Sequence, residues 1–296
     1  MNKLGVHAFV WAKGWSEEEC RFAVSQSAEL GYDLIELAAL DPNAISVDFT
    51  RRELEKHKLG ATMSLGLDAD RDISSGDPEK TKRGEQRLME AMSLARDVQA
   101  THVCGILYSA FQKYAVPPTA DGVARSVEVL QRVAEKAKES NITLGLEVVN
   151  RYETNVCNTA SQGVELCKRI GAPNVKVHLD VYHMNIEESD IASAIIETGD
   201  YLGYFHTGDS HRGYMGSGSI DLAGVFRALV RANYQGPITF ESFSSKVVGQ
   251  PLEGILGIWR NLWDDSRDLA AHAKMYTDAQ IKAAHESQNR ERSRLI

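Results

Sequence analysis

The sequence predicts a single-domain α/β protein, a (β/α)8 or TIM barrel spanning residues 1–296. Eight short apolar runs rich in β-branched residues begin near residues 3, 32, 61, 101, 142, 175, 202 and 237. Their starts are 29, 29, 40, 41, 33, 27 and 35 residues apart, each the length of a strand, a helix and two loops. Helical patterns with recognisable starts fill the intervals, and no domain boundary interrupts the series. Eight alternating units of this length describe a closed barrel better than an open doubly wound sheet, and 43% hydrophobic residues supply a sizeable core.

In chain order, "KLGVHAF" is the first strand, and "SEEECRFAVSQSAEL" is a helix opened by Ser16 and an acidic first turn. The second and third strands are "YDLIEL" and "ATMSLGL"; the helix "PEKTKRGEQRLMEAMSLARDV" starts at Pro78. The fourth to seventh strands are "THVCGIL", "ITLGLEVV", "VKVHLDV" and "LGYFHTG". Asp221 opens the helix "DLAGVFRALVRANY", "PITFESF" is the eighth strand, and "IWRNLWDDSRDLAAHAKMY" reads as the last barrel helix. Its pattern suits packing on its own barrel or on a partner subunit. From about residue 286, "ESQNRERSRLI" reads as a polar tail.

Composition narrows the function. Thirty-three basic against 41 acidic residues give a net charge of −8, which disfavours nucleic acid as a partner. No apolar run approaches the roughly 18–20 residues of a membrane span, and "MNKLGVHAFVW" lacks the features of a signal peptide. Cys20, Cys104, Cys157 and Cys167 form no CxxC pair and read as reduced thiols. A cytoplasmic location is the expectation.

The stretch "LGLEVVNRYE" places Glu147 inside an apolar strand, where an unpaired carboxylate is costly. The same look recurs at Asp180 in "KVHLD", His206 in "GYFH" and Glu241 in "ITFE", 33, 26 and 35 residues apart. A lone acidic residue at a strand end is more often a helix N-cap or a rim salt bridge, but these four fall in consecutive units. In a TIM barrel they converge at the C-terminal mouth, and three carboxylates with an imidazole require a cation. An oxygen-rich set with one nitrogen suits a single Mn2+, Co2+ or Mg2+. Glu36 in "YDLIEL" has the same look without matching neighbours and reads as structural, or as supporting the ligands. Glu153, His183 and Arg212 lie just beyond the strand ends, where a substrate in the mouth is reached, with His211 a less favoured alternative to Arg212. The Gly-rich "RGYMGSGS" invites a phosphate-loop reading but has no following lysine.

The blocks "LEVVNRYETNVCNT", "HLDVYHMNIEESD", "FHTGDSHRGYMGSGSID" and "ITFESFSS", with "GVHAFVW" and "GIWRNLW", resemble the ketose 3-epimerases over nearly the whole chain. That family acts on D-allulose, D-tagatose and L-ribulose. It has a xylose-isomerase-like barrel, binds Mn2+ or Co2+, and forms homodimers or homotetramers. The resemblance implies that Glu147, Asp180, His206 and Glu241 are the metal ligands, that Glu147 and Glu241 are also the acid/base pair, and that Glu153, His183 and Arg212 hold the O1 and O2 end of a ketose. It puts Trp11, Trp15, Ser64 and Phe111 against the sugar. His7 stands where some members have an aromatic residue, and Ser64 where some have Cys.

The implied chemistry is epimerisation at C3 of a free ketose (D-fructose/D-allulose, D-tagatose/D-sorbose or L-ribulose/L-xylulose) through a cis-enediolate. The C3 proton is removable only if the C2 carbonyl is polarised, which a divalent ion does. Two carboxylates on opposite faces then allow inversion. An aldose–ketose isomerase on the same barrel needs one such base. A zinc endonuclease needs more His ligands and a basic face, and a non-catalytic sugar-binding barrel is disfavoured by the complete ligand set.

Overall fold

The computed structural model describes residues 2–39 and 41–293. Eight parallel strands close in chain order into one barrel: β1 Leu4–His7, β2 Leu34–Ala38, β3 Gly60–Ser64, β4 His102–Gly105, β5 Thr143–Val148, β6 Val175–Asp180, β7 Leu202–Thr207 and β8 Ile238–Phe240. Each begins within two residues of its expected start. Closure is sealed by β1 against β8, with Gly5 opposite Thr239.

The strands read as continuous apolar runs because the helices cover their outer side and their inner side fills the lumen. Ile35, Met63, Val103, Leu144 and Val177 are all buried, each such side chain contributing about 1.5–3 kcal/mol of apolar burial. Gly105 ends β4 at φ 115°, where an added Cβ would meet the Leu65 carbonyl oxygen at 2.2 Å. The close approach of β3 and β4 at the mouth thus requires glycine.

The helices are α1 Glu17–Glu29, α2 Val47–His57, α3 Pro78–Asp97, α4 Ala120–Lys138, α5 Ala160–Ile170, α6 Val181–Glu187, α7 Ile191–Thr198, α8 Leu222–Arg231, α9 Ser245–Val248, α10 Leu252–Ile255 and α11 Ser266–Ser293. Ser16 and Glu19 form a reciprocal capping box on α1. Asp77 caps α3 ahead of Pro78, and Asp221 caps α8.

The C-terminal region departs from expectation at both ends. The segment from Ile258 to Asp265 is not helical: Asp265 accepts from the Arg267 and Asp268 N–H groups at 2.8 and 3.1 Å, so the last helix starts after it. The residues from 286 to 293, expected as a tail, continue α11, and the rest of that tail lies outside the described residues. α11 packs on this chain's own barrel, burying Leu269, Ala270, Ala273 and Ile281. Among the described residues no helix is long and apolar enough to cross a membrane.

Candidate metal centre

Strand register brings the four polar strand ends to one level. Glu147 pairs with His178 across β5 and β6, Asp180 with His206 across β6 and β7, and His206 with Thr239 across β7 and β8. Glu241 follows β8 directly, its N–H continuing the ladder to Thr207 O at 3.0 Å. Glu147, Asp180, His206 and Glu241 each offer one ligand atom, and these atoms all lie within 4.8 Å of one another. Asp180 is at once an N-cap and a candidate ligand: its Oδ1 accepts the Tyr182 N–H at 2.7 Å, leaving Oδ2 for the lumen. Asp180 Oδ2, whose one close cation is the Arg212 guanidinium at 3.2 Å, and His206 Nδ1 are buried and form no hydrogen bond among the described residues, the state in which ligand atoms for a cation would be held.

The electrostatics point the same way. Burial would lower the His206 pKa, but Glu36 and Glu241 outweigh it and raise it well above the ordinary value, so the cluster calls for positive charge. Burial pushes the Glu147 carboxyl well above the usual range, opposed by His206 and reinforced by Glu241 and Asp180. Burial acts in the same sense on Glu241, yet Arg212 and His206 outweigh it and hold that carboxyl well below. A divalent ion bound by these four residues would relieve the repulsion, and the donor set fits it.

Beneath this level, Glu36 Oε2 accepts from His206 Nε2 at 2.9 Å and from the Tyr204 hydroxyl at 2.7 Å. Glu36 is therefore the partner that orients the imidazole, in line with the supporting role expected of it. His178, which the sequence reading passed over, lies one step down β6, its ring centroid 4.1 Å from that of His206. With Glu147 and His206 it forms a second possible ligand set; it gave no signal because it reads as one more buried strand residue.

Above the level, Glu153, His183 and Arg212 face a cavity of about 490 Å³ that opens at the barrel mouth. Arg212 adopts φ 60° and extends between the Tyr182 and Phe243 rings, its Cζ 4.2 and 4.7 Å from their centroids. Its guanidinium pairs with Glu241 and reaches Asp180 Oδ2 at 3.2 Å. The Gly-rich loop is organised around buried Asp209, whose oxygens accept the Ser210 and Gly216 N–H groups at 2.7 Å each. These donors are spent on the loop itself, so it presents Arg212 instead of cradling an anion. His211 also lines the cavity, 3.3 Å from the Ser217 hydroxyl.

His7, Ser64 and Phe111 line the cavity, His7 Nε2 lying 3.0 Å from Ser64 Oγ. Trp11 and Trp15 do not. Trp11 packs edge-on against Phe22 of α1, and Trp15 donates to Thr50 of α2 at 3.1 Å, so both belong to the packing between the barrel and its first helices. The wall they were expected to form is built by Phe9, Phe243, Ile258 and Trp259. The last two come from the segment expected to be helical.

Residues 24–273 match the family model described as the xylose isomerase-like TIM barrel. A ketose 3-epimerase of Arthrobacter globiformis is 46% identical, the alignment covering 95% of this chain and 97% of that one. An L-ribulose 3-epimerase of Methylomonas sp. (strain DH-1) is 45% identical over 92% and 95%. The chain belongs to the ketose 3-epimerase family. A crystal structure of D-allulose 3-epimerase from Methylomonas sp. in complex with D-allulose superposes with a TM-score of 0.92 at 44% identity, over 94% of this chain and 97% of that one.

As a ketose 3-epimerase family member the chain is an enzyme of the isomerase class, built on a barrel whose polar strand ends meet at one point. The sequence reading missed Asn150, whose side chain joins Glu153 to His183. Its only signal was the spacing Asn-x-x-Glu in "NRYE".

Proposed function

We propose that the protein epimerises free ketoses at C3, with Glu147 and Glu241 as the acid/base pair. The observation that carries this is the convergence of Glu147, Asp180, His206 and Glu241 on one point, at the inner end of a cavity also lined by Glu153, His183 and Arg212. A divalent ion held by the four residues, Mn2+ first and Co2+ or Mg2+ as substitutes, would supply Lewis acidity toward the ketose oxygens.

The chain's own residues do the rest. Arg212 and His183 offer N–H donors, and Glu153 an acceptor, to the O1 and O2 end of the sugar. One of Glu147 and Glu241 takes the C3 proton and the other returns a proton on the opposite face, passing through the cis-enediolate. The aromatic and aliphatic wall excludes water and receives the remaining carbons. D-fructose/D-allulose and L-ribulose/L-xylulose are the first pairs to test, in keeping with the relatives' names; D-tagatose/D-sorbose is the third. Exposed Ile255 and Trp259 beside the mouth support assembly as a homodimer or homotetramer, and four buried free thiols support a cytoplasmic address.

The test is product analysis. Mn2+-loaded protein given D-fructose or L-ribulose should form the C3 epimer until equilibrium and should stop when chelated. Aldose as the main product would favour the isomerase reading, and no conversion of any of the three pairs would overturn the proposal.

A further inference from the structure

Asn150 sits in the turn after β5, buried, and uses every polar atom of its side chain. Its Oδ1 accepts the Tyr152 N–H at 2.9 Å, which fixes the amide so that Nδ2 faces inward. Nδ2 then donates to Glu153 Oε1 at 2.9 Å and to His183 Nδ1 at 2.9 Å. The Asn150 backbone N–H also points at His183 Nδ1, at 3.3 Å.

Two N–H groups converging on His183 Nδ1 require that nitrogen to be the acceptor, so the ring proton sits on Nε2. Nε2 faces the cavity, 3.7 Å from Glu147 Oε1 and 3.8 Å from both Glu153 Oε2 and Asp180 Oδ2, with the Arg212 guanidinium also 3.3 Å away. The other tautomer would accept from Arg212 at 3.3 Å, but it would set Nδ1–H against two Asn150 donors, the nearer at 2.9 Å, and turn a lone pair toward three carboxylates. Asn150 therefore selects the form of His183 that can donate to a substrate oxygen, and the same amide aims Glu153.

We propose that Asn150 is a positioning residue for substrate recognition: it locks His183 as an Nε2–H donor and holds Glu153 beside it. Its effect on turnover rests on the ketose reading above, whereas its effect on the tautomer does not.

The experiment uses the full chain, 15N-labelled and loaded with Mg2+, with His183 assigned by comparison with His183→Gln. Long-range 1H–15N spectra read which ring nitrogen carries the proton. The expected result is Nε2–H in the wild type and a shift of the proton to Nδ1 in Asn150→Asp, which keeps the size and the acceptor but replaces the nearer, side-chain donor with a carboxylate oxygen. With a ketose substrate, KM should rise at least ~10-fold while kcat falls less, the loss expected when buried hydrogen-bonding partners are removed from a binding group. Mg2+ affinity should stay within about 3-fold, since Asn150 touches no metal ligand by a hydrogen bond. Asn150→Ala, which removes the side-chain donors without adding charge and leaves only the longer backbone N–H contact, should show the same KM-weighted loss and serves if the Asp variant does not fold. Nδ1–H in the wild type, an unchanged tautomer in Asn150→Asp, or parallel losses of Mg2+ affinity and KM would overturn the proposal. If no ketose is turned over, the proposed function fails by itself and the tautomer still decides the role of Asn150.

Discussion

His206 donates through Nε2 to Glu36 Oε2 at 2.9 Å, and this bond leaves Nδ1 as the nitrogen facing Glu241 Oε2 at 3.5 Å. Glu36 thus sets both the tautomer and the aim of the only nitrogen in the four-residue set. Partners of this kind are worth about 10–100-fold in metal affinity. Glu36→Gln should weaken Mn2+ binding toward the lower end of that range and Glu36→Leu toward the upper end, read by calorimetric titration. Unchanged affinity in both would show that the imidazole needs no such support.

Removing the ion should also loosen the fold. Without it, three carboxylates remain within ligand distance at the inner end of the cavity, neutralised only in part by Arg212. Binding to the native state alone stabilises by mass action, about 2.7 kcal/mol at a free concentration 100 times Kd. Melting curves with and without excess chelator should differ by several degrees; superimposable curves would contradict a single tightly held ion.

Phosphorylated ketoses should be poor substrates. In the Gly-rich loop the Gly216 and Ser219 N–H groups are taken by Asp209 and Ser210, and Arg212 is paired with Glu241 and Asp180. A dianion would enter beside Glu147, Glu153 and Glu241, which line the cavity, and like charges disfavour it strongly. We expect kcat/KM for a ketose phosphate at least about tenfold below that of the free sugar. The reverse order would restore the phosphate-loop reading.

His102, at the start of β4, provides a pH test away from the metal ligands. Burial, opposed by Glu36, depresses its pKa from 6.5 to about 4. Because the folded value lies below the unfolded one, its contribution to stability is complete above about pH 6.5 and is lost as pH falls toward 4. The Tm drop between pH 7 and pH 5 should be smaller in His102→Asn than in the wild type. Equal drops would remove His102 from the acid sensitivity of the fold.

The barrel was legible because its physics repeats: eight buried strands at unit spacing, and caps such as Ser16, Asp77 and Asp221 at helix starts. The candidate ligands were legible because Glu147 and Asp180 are carboxylates where strands permit only apolar residues. What escaped was set by loops and by depth. The onset of α11 was decided by one cap, Asp265, within a pattern that otherwise reads as continuous helix. Trp11 and Trp15 lie near the end of β1, yet the turn of Ala8–Val10 carries both toward α1 and α2. Phe243 and Ile258 reach the cavity from segments that read as strand and helix but lie beyond the end of β8 and before the start of α11. Asn150 acts only by hydrogen-bonding its neighbours in the turn after β5 and His183, which no strand or helix spacing reveals.

The central claim is that Glu147 and Glu241 work on opposite faces of C3, and solvent deuterium tests it most directly. Product formed in D2O by the Mn2+-loaded protein should carry deuterium at C3, because the group that delivers the proton is not the one that removed it. Glu147→Gln and Glu241→Gln, each keeping size and one ligating oxygen, should lose about 10²–10⁴ of turnover, and one of them should exchange the C3 hydrogen of one epimer without forming the other. Label at C1 with none at C3, or near-normal epimerisation by either metal-loaded variant, would contradict the two-carboxylate account.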